Sequence, residues 1–519
     1  MTNKKYREVN RDISFTAHSL INVFITSFKS YFESKIFVCI FDVFEFETLF
    51  CFPHSSYFDK LVLCLKIYVL MHYFNKNIKI VLLFMQISDI IKMTNMEDYY
   101  MEKLYKRELY LSKIRPFYKD VDMIKALTGV RRCGKSSIMQ LICNELIENE
   151  ISKSNIVYIN LDKRPYKGIK TQEQLEKVID ELFLGVEGTK YLFIDEIQNV
   201  KDFEESINAY REEGDYSIFV TGSNSYMLSG ELVTKLTGRY IEFKIGTLSF
   251  SEYLGMKKFF NIETDILLDA EFAKYILEGG FPLAIKYEDI EAKRIYVQSV
   301  INEIFEKDIK CSKKVRDKSL FSQIQTYIIN NFGATTSIDS LCNYLEKINK
   351  HKPSKHTVYN YLSVLENAKI ISKCSRFDLK SKKSLSGGEK YYLTDLSFYF
   401  ASNTDNRINY GPVLENIIYN YAVLNGYSVS IGKIDKFEVD FIVRGINNNY
   451  AYIQVAKTID NGIVNEKGIP VTEEREYRPL ESIKNNYPKY VLTLDTLLQQ
   501  RNGIKHENII KFLLDKKMF

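Results

Sequence analysis

Gly129, Gly134, Lys135 and Ser136 stand in the order G-x-x-x-x-G-K-S within the stretch TGVRRCGKSS. Each residue type has a physical reason to be there. The glycines let the backbone wrap closely around phosphate oxygens with several N–H groups pointing inward. Lys135 then meets the β- and γ-phosphates, and the Ser136 hydroxyl is offered to Mg²⁺. Val130, Arg131, Arg132 and Cys133 fill the loop and Ser137 follows it. Either arginine is itself a candidate phosphate contact. The ligand implied is ATP with Mg²⁺.

A second group of chemical residues closes the apolar run KYLFIDEIQNV. A strand ending in Asp195 and Glu196 lifts both carboxylates to the edge of a sheet, beside such a loop. There Asp195 would hold the Mg²⁺ shell and Glu196 would orient the attacking water. Glu196 argues for hydrolysis rather than binding alone. The run YSIFVTGSNS ends in Ser223 and Asn224, either of which is placed to sense a γ-phosphate. Arg239, in KLTGRYIEF, is a candidate finger, acting in cis or from a neighbouring copy. Its plain alternative is an ordinary surface or ion-paired arginine.

The elements that must position these groups read as alternating strands and helices. DMIKALTG, NIVYINLD, KYLFIDEIQNV and YSIFVTGSNS are four short strands, and SSIMQLICNELI has helical periodicity directly after the loop. That alternation predicts a parallel sheet wrapped by helices. It also sets the loop at a helix N-terminus, where the dipole favours anions.

At 519 residues the chain exceeds one core, and 45% hydrophobic with 26% charged residues suits folded domains. The eight cysteines form no C-x-x-C pair, so neither a zinc site nor a disulfide framework is indicated, and a cytoplasmic location is expected. Between residues 310 and 390, 16 lysines and arginines face 6 acidic residues, a local +10 inside a chain of net +5. A basic patch confined to one segment points to nucleic acid. Residues 1–92 are apolar and aromatic without helical punctuation, and Asp42, Glu45, Lys66 and Lys76 interrupt every run long enough to span a membrane. Two readings follow: a poor hydrophobic anchor, or a chain whose translation starts at Met93 or Met96. The late start is favoured, and no stable membrane partner is expected.

The blocks TGVRRCGKSS, FIDEIQNV, VTGSNSYML, LTGRYIEFKIGTLSFSEYL and YILEGGFPLA, in that order, resemble the successive motifs of a large prokaryotic family of AAA-type ATPases. The similarity spans roughly residues 97–519. It implies a multidomain α/β chain: a P-loop parallel sheet, a helical segment, a winged helix and a restriction-endonuclease-like domain. The corresponding boundaries are an atypical extension at 1–92, the ATPase core with its N-terminal helix at 93–248, the helical segment at 249–315, the winged helix at 316–405 and the nuclease-like domain at 406–519.

The basic segment fits that scheme. Ile338, Leu341, Leu345 and Ile348 lie at helical spacing, Pro353 breaks the chain, and Ser354 can cap a second helix. Val358, Tyr359, Leu362 and Leu365 are expected on its inward face, leaving Lys355, His356, Thr357 and Asn360 outward. KIISKCSRF and EKYYLTD read as the strands of a wing joined by the basic turn DLKSKKSLSGGEK, which carries Lys382 and Lys383. The second helix of such a module enters a major groove while the wing meets phosphates. The alternative is a winged helix that contacts protein.

In the tail, helix-β-β-β-helix-β is the element order of PD-(D/E)xK nucleases. By position Glu415 and Asp440 match the helix and strand acids of that motif. The third part departs: Gln454 replaces Glu, Ala456 stands in place of Lys, and Lys457 is displaced by one residue to the opposite strand face. The expectation is a vestigial site that binds without cutting. The chain thus reads as an ATP-driven switch on DNA. The alternatives are a nucleotide-gated adaptor for protein partners, a homo-oligomer among them, and an ATP-controlled nuclease.

Overall fold

The apolar runs become a sheet because each is buried on both faces by helices. The computed structural model describes residues 103–222, 236–309, 315–403, 407–445, 449–460, 462–464 and 470–519. The extension at 1–92 and the expected phosphate sensors Ser223 and Asn224 lie outside the described residues. After α1 (Glu108–Ile114) come β1 (Ile124–Thr128), α2 (Lys135–Glu148), β2 (Ile156–Asn160), α3 (Gln172–Leu182), β3 (Lys190–Asp195), α4 (Phe203–Glu213), β4 (Tyr216–Gly222) and β5 (Tyr240–Lys244). All five strands are parallel, in the order β2-β3-β4-β1-β5. Every residue of β1 and β4 is buried, as sheets covered on both faces require. This is the P-loop NTPase fold that the motifs imply. Because β4 runs between β1 and β3, its last residues separate the phosphate loop from the β3 carboxylates.

One residue breaks the apolar rule. Lys125 on β1 is fully buried and donates to the Asp120 carbonyl (2.5 Å) and the Ser217 hydroxyl (2.9 Å), over the face of Phe219. Burial pushes its ammonium down to about 7.

The helical segment comprises α5 (Phe250–Phe259), α6 (Leu268–Glu278) and α7 (Ile290–Ile304). Ser249 and Glu252 form a capping box on α5, and Asp289 caps α7. A π-helical turn, Phe305–Ile309, ends α7. Next come α8 (Lys318–Asn330), β6 (Thr335–Thr336), α9 (Ile338–Asn349), α10 (Lys355–Asn367), β7 (Ile371–Asp378), β8 (Lys383–Leu393) and α11 (Ser397–Ser402). Ser354 caps α10 through the Thr357 N–H. Two details of the sequence reading change here. Tyr359 is 56% exposed, and Tyr361 turns inward instead, its ring 5.5 Å from that of Phe321. The expected long basic turn is mostly strand, since only residues 379–382 separate β7 from β8.

The tail holds α12 (Tyr410–Leu424), β9 (Ser428–Ile434), β10 (Phe437–Arg444), β11 (Tyr450–Val455), α13 (Val471–Glu481), β12 (Lys489–Thr493), β13 (Gln500–Arg501), β14 (Ile504–Asn508) and α14 (Ile509–Leu514). One sheet, β13-β14-β12-β11-β10-β9-β7-β8-β6, runs through the tail and the preceding hairpin. The joint is a parallel pairing of residues 376–378 with 431–433. The expected boundary between residues 405 and 406 is therefore crossed by continuous backbone hydrogen bonding.

Candidate nucleotide-binding site

The loop after β1 takes its shape from glycine. Gly129 and Gly134 have φ of 152° and 103°, and a Cβ on Gly129 would lie 2.1 Å from the Ile245 carbonyl oxygen. No side chain fits that approach. Cys133 is buried, with its Sγ 3.3 Å from the same oxygen, which makes it a packing residue of the loop. Lys135 opens α2 and donates to the carbonyls of Gly129 (3.1 Å) and Val130 (3.2 Å), which holds its ammonium against the loop.

Asp195 ends β3 almost fully buried and gathers neutral donors. Tyr158 (3.0 Å) and Asn160 (2.8 Å) reach it from β2, Thr221 from β4 and Ser136 from α2. Burial pushes its carboxyl above the usual range, while the Thr221, Ser136 and Tyr158 hydroxyls pull the other way. Glu196 follows in a left-handed backbone conformation (φ 59°). Its N–H donates to Thr221 Oγ1 (3.1 Å), and its carboxylate accepts from Gln198. Ser136 and Asp195 thus form a hydroxyl and carboxylate pair of the kind that holds Mg²⁺ beside a nucleotide.

A cavity of about 500 Å³ joins these groups to the helical segment. Lys135, Ser136, Asp195 and Glu196 line it together with Met256, Phe260, Leu283 and Tyr296. Charged groups beside apolar and aromatic ones suit a ligand that carries both phosphates and a base.

Arg107, which no motif singled out, ties the site together. Its buried guanidinium bonds Glu252 twice (2.8 Å each), the Cys133 carbonyl (2.9 Å), Gly246 (2.9 Å) and Thr247 (3.1 Å). One side chain therefore links the phosphate loop, the exit of β5 and α5. The EGGFP block packs against the loop from the other side. Leu248 N–H donates to Gly280 O (2.7 Å), Gly280 N–H donates to buried Asp395 (2.9 Å), and Pro282 lies beside Gly134.

Arg239 requires a correction. Its carbonyl accepts from Ile124 N–H (2.9 Å), which fixes it at the start of β1, whereas the phosphate loop is at the end. Four residues of strand, roughly 13 Å, separate the two edges. In cis Arg239 does not reach the loop. It lies 3.8 Å from Glu212 instead. The sequence did not show that β5 begins at Tyr240 and runs parallel to β1.

Of the other residues singled out, Lys355 pairs with Asp339 (2.6 Å), and Asn360 bonds His356 (3.2 Å) on the exposed side of α10. Thr357 shares a hydroxyl contact with Ser354 (2.8 Å). Lys382 and Lys383 are exposed at the hairpin tip. In the tail Gln454 accepts from Asp440 N–H (2.7 Å) and donates to Glu476 (2.8 Å). Glu415 accepts from Tyr392 (2.8 Å) and from Lys390 (3.1 Å), an ammonium that also lies 3.2 Å from Glu438. Burial and the neighbouring Glu415 push Asp440 well above the usual carboxylate range.

Comparison with known proteins gives two family matches: an AAA domain (AAA_14) over residues 121–254, and a domain of unknown function (DUF8612) over residues 269–407. An uncharacterized protein of Haemophilus influenzae is 33% identical over 391 residues, covering 75% of this chain and 93% of its own. An uncharacterized protein of Methanocaldococcus jannaschii is 30% identical over 334 residues, covering 62% and 73% respectively. Among solved structures, a Walker-type ATPase of Pyrococcus abyssi aligns with a TM-score of 0.43 at 15% identity, over 58% of this chain and 96% of that one. Among the described residues, no helix is long and apolar enough to cross a membrane.

Proposed function

This chain belongs to the same family as the Haemophilus influenzae and Methanocaldococcus jannaschii proteins and matches an AAA domain over residues 121–254, and from that premise we propose that it binds and hydrolyses ATP to drive a conformational switch on DNA. The observation that carries the first half is the convergence of Lys135, Ser136, Asp195 and Glu196 on one cavity. Lys135 would meet the phosphates. Ser136 and Asp195 would hold Mg²⁺, which supplies charge neutralisation at the phosphate oxygens. Glu196, its backbone anchored by Thr221, would polarise the attacking water. Arg239 remains a candidate finger only toward a neighbouring copy.

The second half rests on α8 to α10 followed by the β7–β8 hairpin, with β6 paired to β8, the element order of a winged helix. In this reading α10 offers His356, Asn360 and Tyr359 to a groove, and Lys382 and Lys383 offer charge to phosphates. The pairing of β7 with β9 reaches the hairpin tip, where Leu379 N–H donates to Lys433 O and Lys380 pairs with Asp435, so Lys382, Lys383 and the β8 side are what remain for the duplex.

The cleavage alternative is disfavoured by one contact. A hard cation prefers carboxylates with open positions, and the Lys390 ammonium lies directly against Glu415 and Glu438. The tail then serves as a non-cutting scaffold continuous with the hairpin.

The test is ATP turnover by the purified chain with and without duplex DNA, beside Lys135→Ala. Stimulation by duplex that fades with added salt, and weakens in Lys382→Ala/Lys383→Ala, is expected. Hydrolysis indifferent to DNA would transfer the switch to a protein partner.

A further inference from the structure

Two arginines crown the phosphate loop, and the end of the helical segment engages both. Arg131 Nε and Nη2 donate to the Asp308 carboxylate at 3.3 and 3.0 Å. Both side chains are buried, at 8% and 2% exposure. The third nitrogen, Nη1, lies 3.7 Å from Glu196 and 3.8 Å from Glu303. Arg132, on the solvent side, donates to Glu303 at 3.0 and 3.3 Å. Asp308 sits on the π-helical turn at the end of α7. A π turn is wider than an α turn by one residue, so Asp308, inside it, is displaced around the axis from the position a regular α7 would give it. The turn thus sets the direction in which Asp308 points.

The arrangement puts Arg131 between a buried carboxylate, Asp308, and a partly exposed one, Glu196, with different tasks. Glu196 must stay available to polarise water, and an arginine that closed onto it would neutralise it. Asp308 takes the fork geometry that a guanidinium prefers and leaves Glu196 at the longer distance. We propose that Asp308 is a positioning residue for ATP hydrolysis, fixing the Arg131 fork so that Nη1 stays at a long ion-pair distance from Glu196 instead of closing a hydrogen bond onto it. This rests on the hydrolysis reading above. Without the charge at 308, the guanidinium faces Glu196 and Glu303 and closes onto the water-orienting carboxylate. Turnover suffers, while nucleotide binding through Lys135 and the loop backbone is spared.

The experiment is steady-state ATP hydrolysis by the full chain as wild type, Asp308→Asn, Arg131→Met and the double variant, with Lys135→Ala as the inactive reference. Asp308→Asn is expected to lower kcat about tenfold or more with KM within about threefold, and to have no further effect once Arg131 is Met. Asp308→Glu, which keeps the charge, is expected to recover part of the rate. It carries the same reading if Asp308→Asn melts at a lower temperature. An equal loss in both backgrounds, a loss confined to KM, or a wild-type kcat in Asp308→Asn would overturn the proposal. A wild type no faster than Lys135→Ala would remove the hydrolysis reading itself, and this inference with it.

Discussion

The nucleotide site and the carboxylate cluster of the tail are built from similar parts and reach opposite electrostatic states. In the first, Asp195 is surrounded by neutral hydroxyl and amide donors, and the nearby Lys135 is turned against loop carbonyls. In the second, Lys390 from β8 lies against Glu415 and Glu438. Burial alone would lower the Lys390 ammonium, but Glu415, Asp440 and Glu438 raise it well above the usual lysine range. The first site leaves Asp195 without an ammonium beside it, available to a cation, and Lys135 available to phosphates from outside. The second satisfies its charge from within. A retained arrangement of acids therefore does not by itself define a metal centre; the position of the nearest ammonium decides.

The comparison breaks most visibly in turnover. Glu196→Gln keeps the shape of the site and removes the group proposed to polarise water, so kcat should fall by roughly 10²–10³-fold with nucleotide affinity largely kept. Stopped-flow binding of a fluorescent ATP analogue beside steady-state rates separates the two. Unchanged kcat would assign the base elsewhere.

The tail should respond in stability instead. Lys390→Met leaves the partly buried Glu415 and Glu438 without their counter-charge, and a loss of roughly 1–2 kcal/mol is expected in denaturant unfolding. Adding Glu415→Gln should recover part of it. If Lys390→Met unfolds like wild type, the internal neutralisation is not the working state of the cluster.

Lys125 sharpens the contrast by being buried without a carboxylate in contact. Its folded value near 7 lies below the reference 10.5, so between those values the unfolded chain binds more protons. Stability should therefore rise with pH through that window, and below about 7 the burial cost is felt in full. Lys125→Met removes the cost. Its melting advantage over wild type, on the order of 2–5 kcal/mol below pH 7, should shrink as pH approaches 10. A gap that does not change with pH would place the charge elsewhere.

What was legible in the sequence was local. Gly129 to Ser136 announce the loop because close backbone approach and a helix N-terminus need those types at that spacing. Asp195 and Glu196 announce themselves because an apolar run that ends in acids has one sensible place on a parallel sheet. Position on α10 was less legible: Tyr359 and Tyr361 both lie within reach of an apolar stripe, and packing against Phe321 selects Tyr361. Long-range placement was not legible at all. Tyr158, Asn160 and Thr221 meet Asp195 only because β4 is threaded between β1 and β3 and β2 flanks β3. Arg107 reaches Cys133, and Asp308 reaches Arg131, across 26 and 177 residues of chain. Arg239, adjacent in sequence to a strand of the same sheet, falls at the wrong edge because strand direction reverses its distance to the loop. By itself the sequence named the residues whose types and spacing suit a phosphate or a metal, because that chemistry resides in side-chain type and short spacing. Which carboxylates stay open and which are already answered was decided by tertiary structure, because an ammonium acts over a few ångströms and only folding brings Lys390 that close.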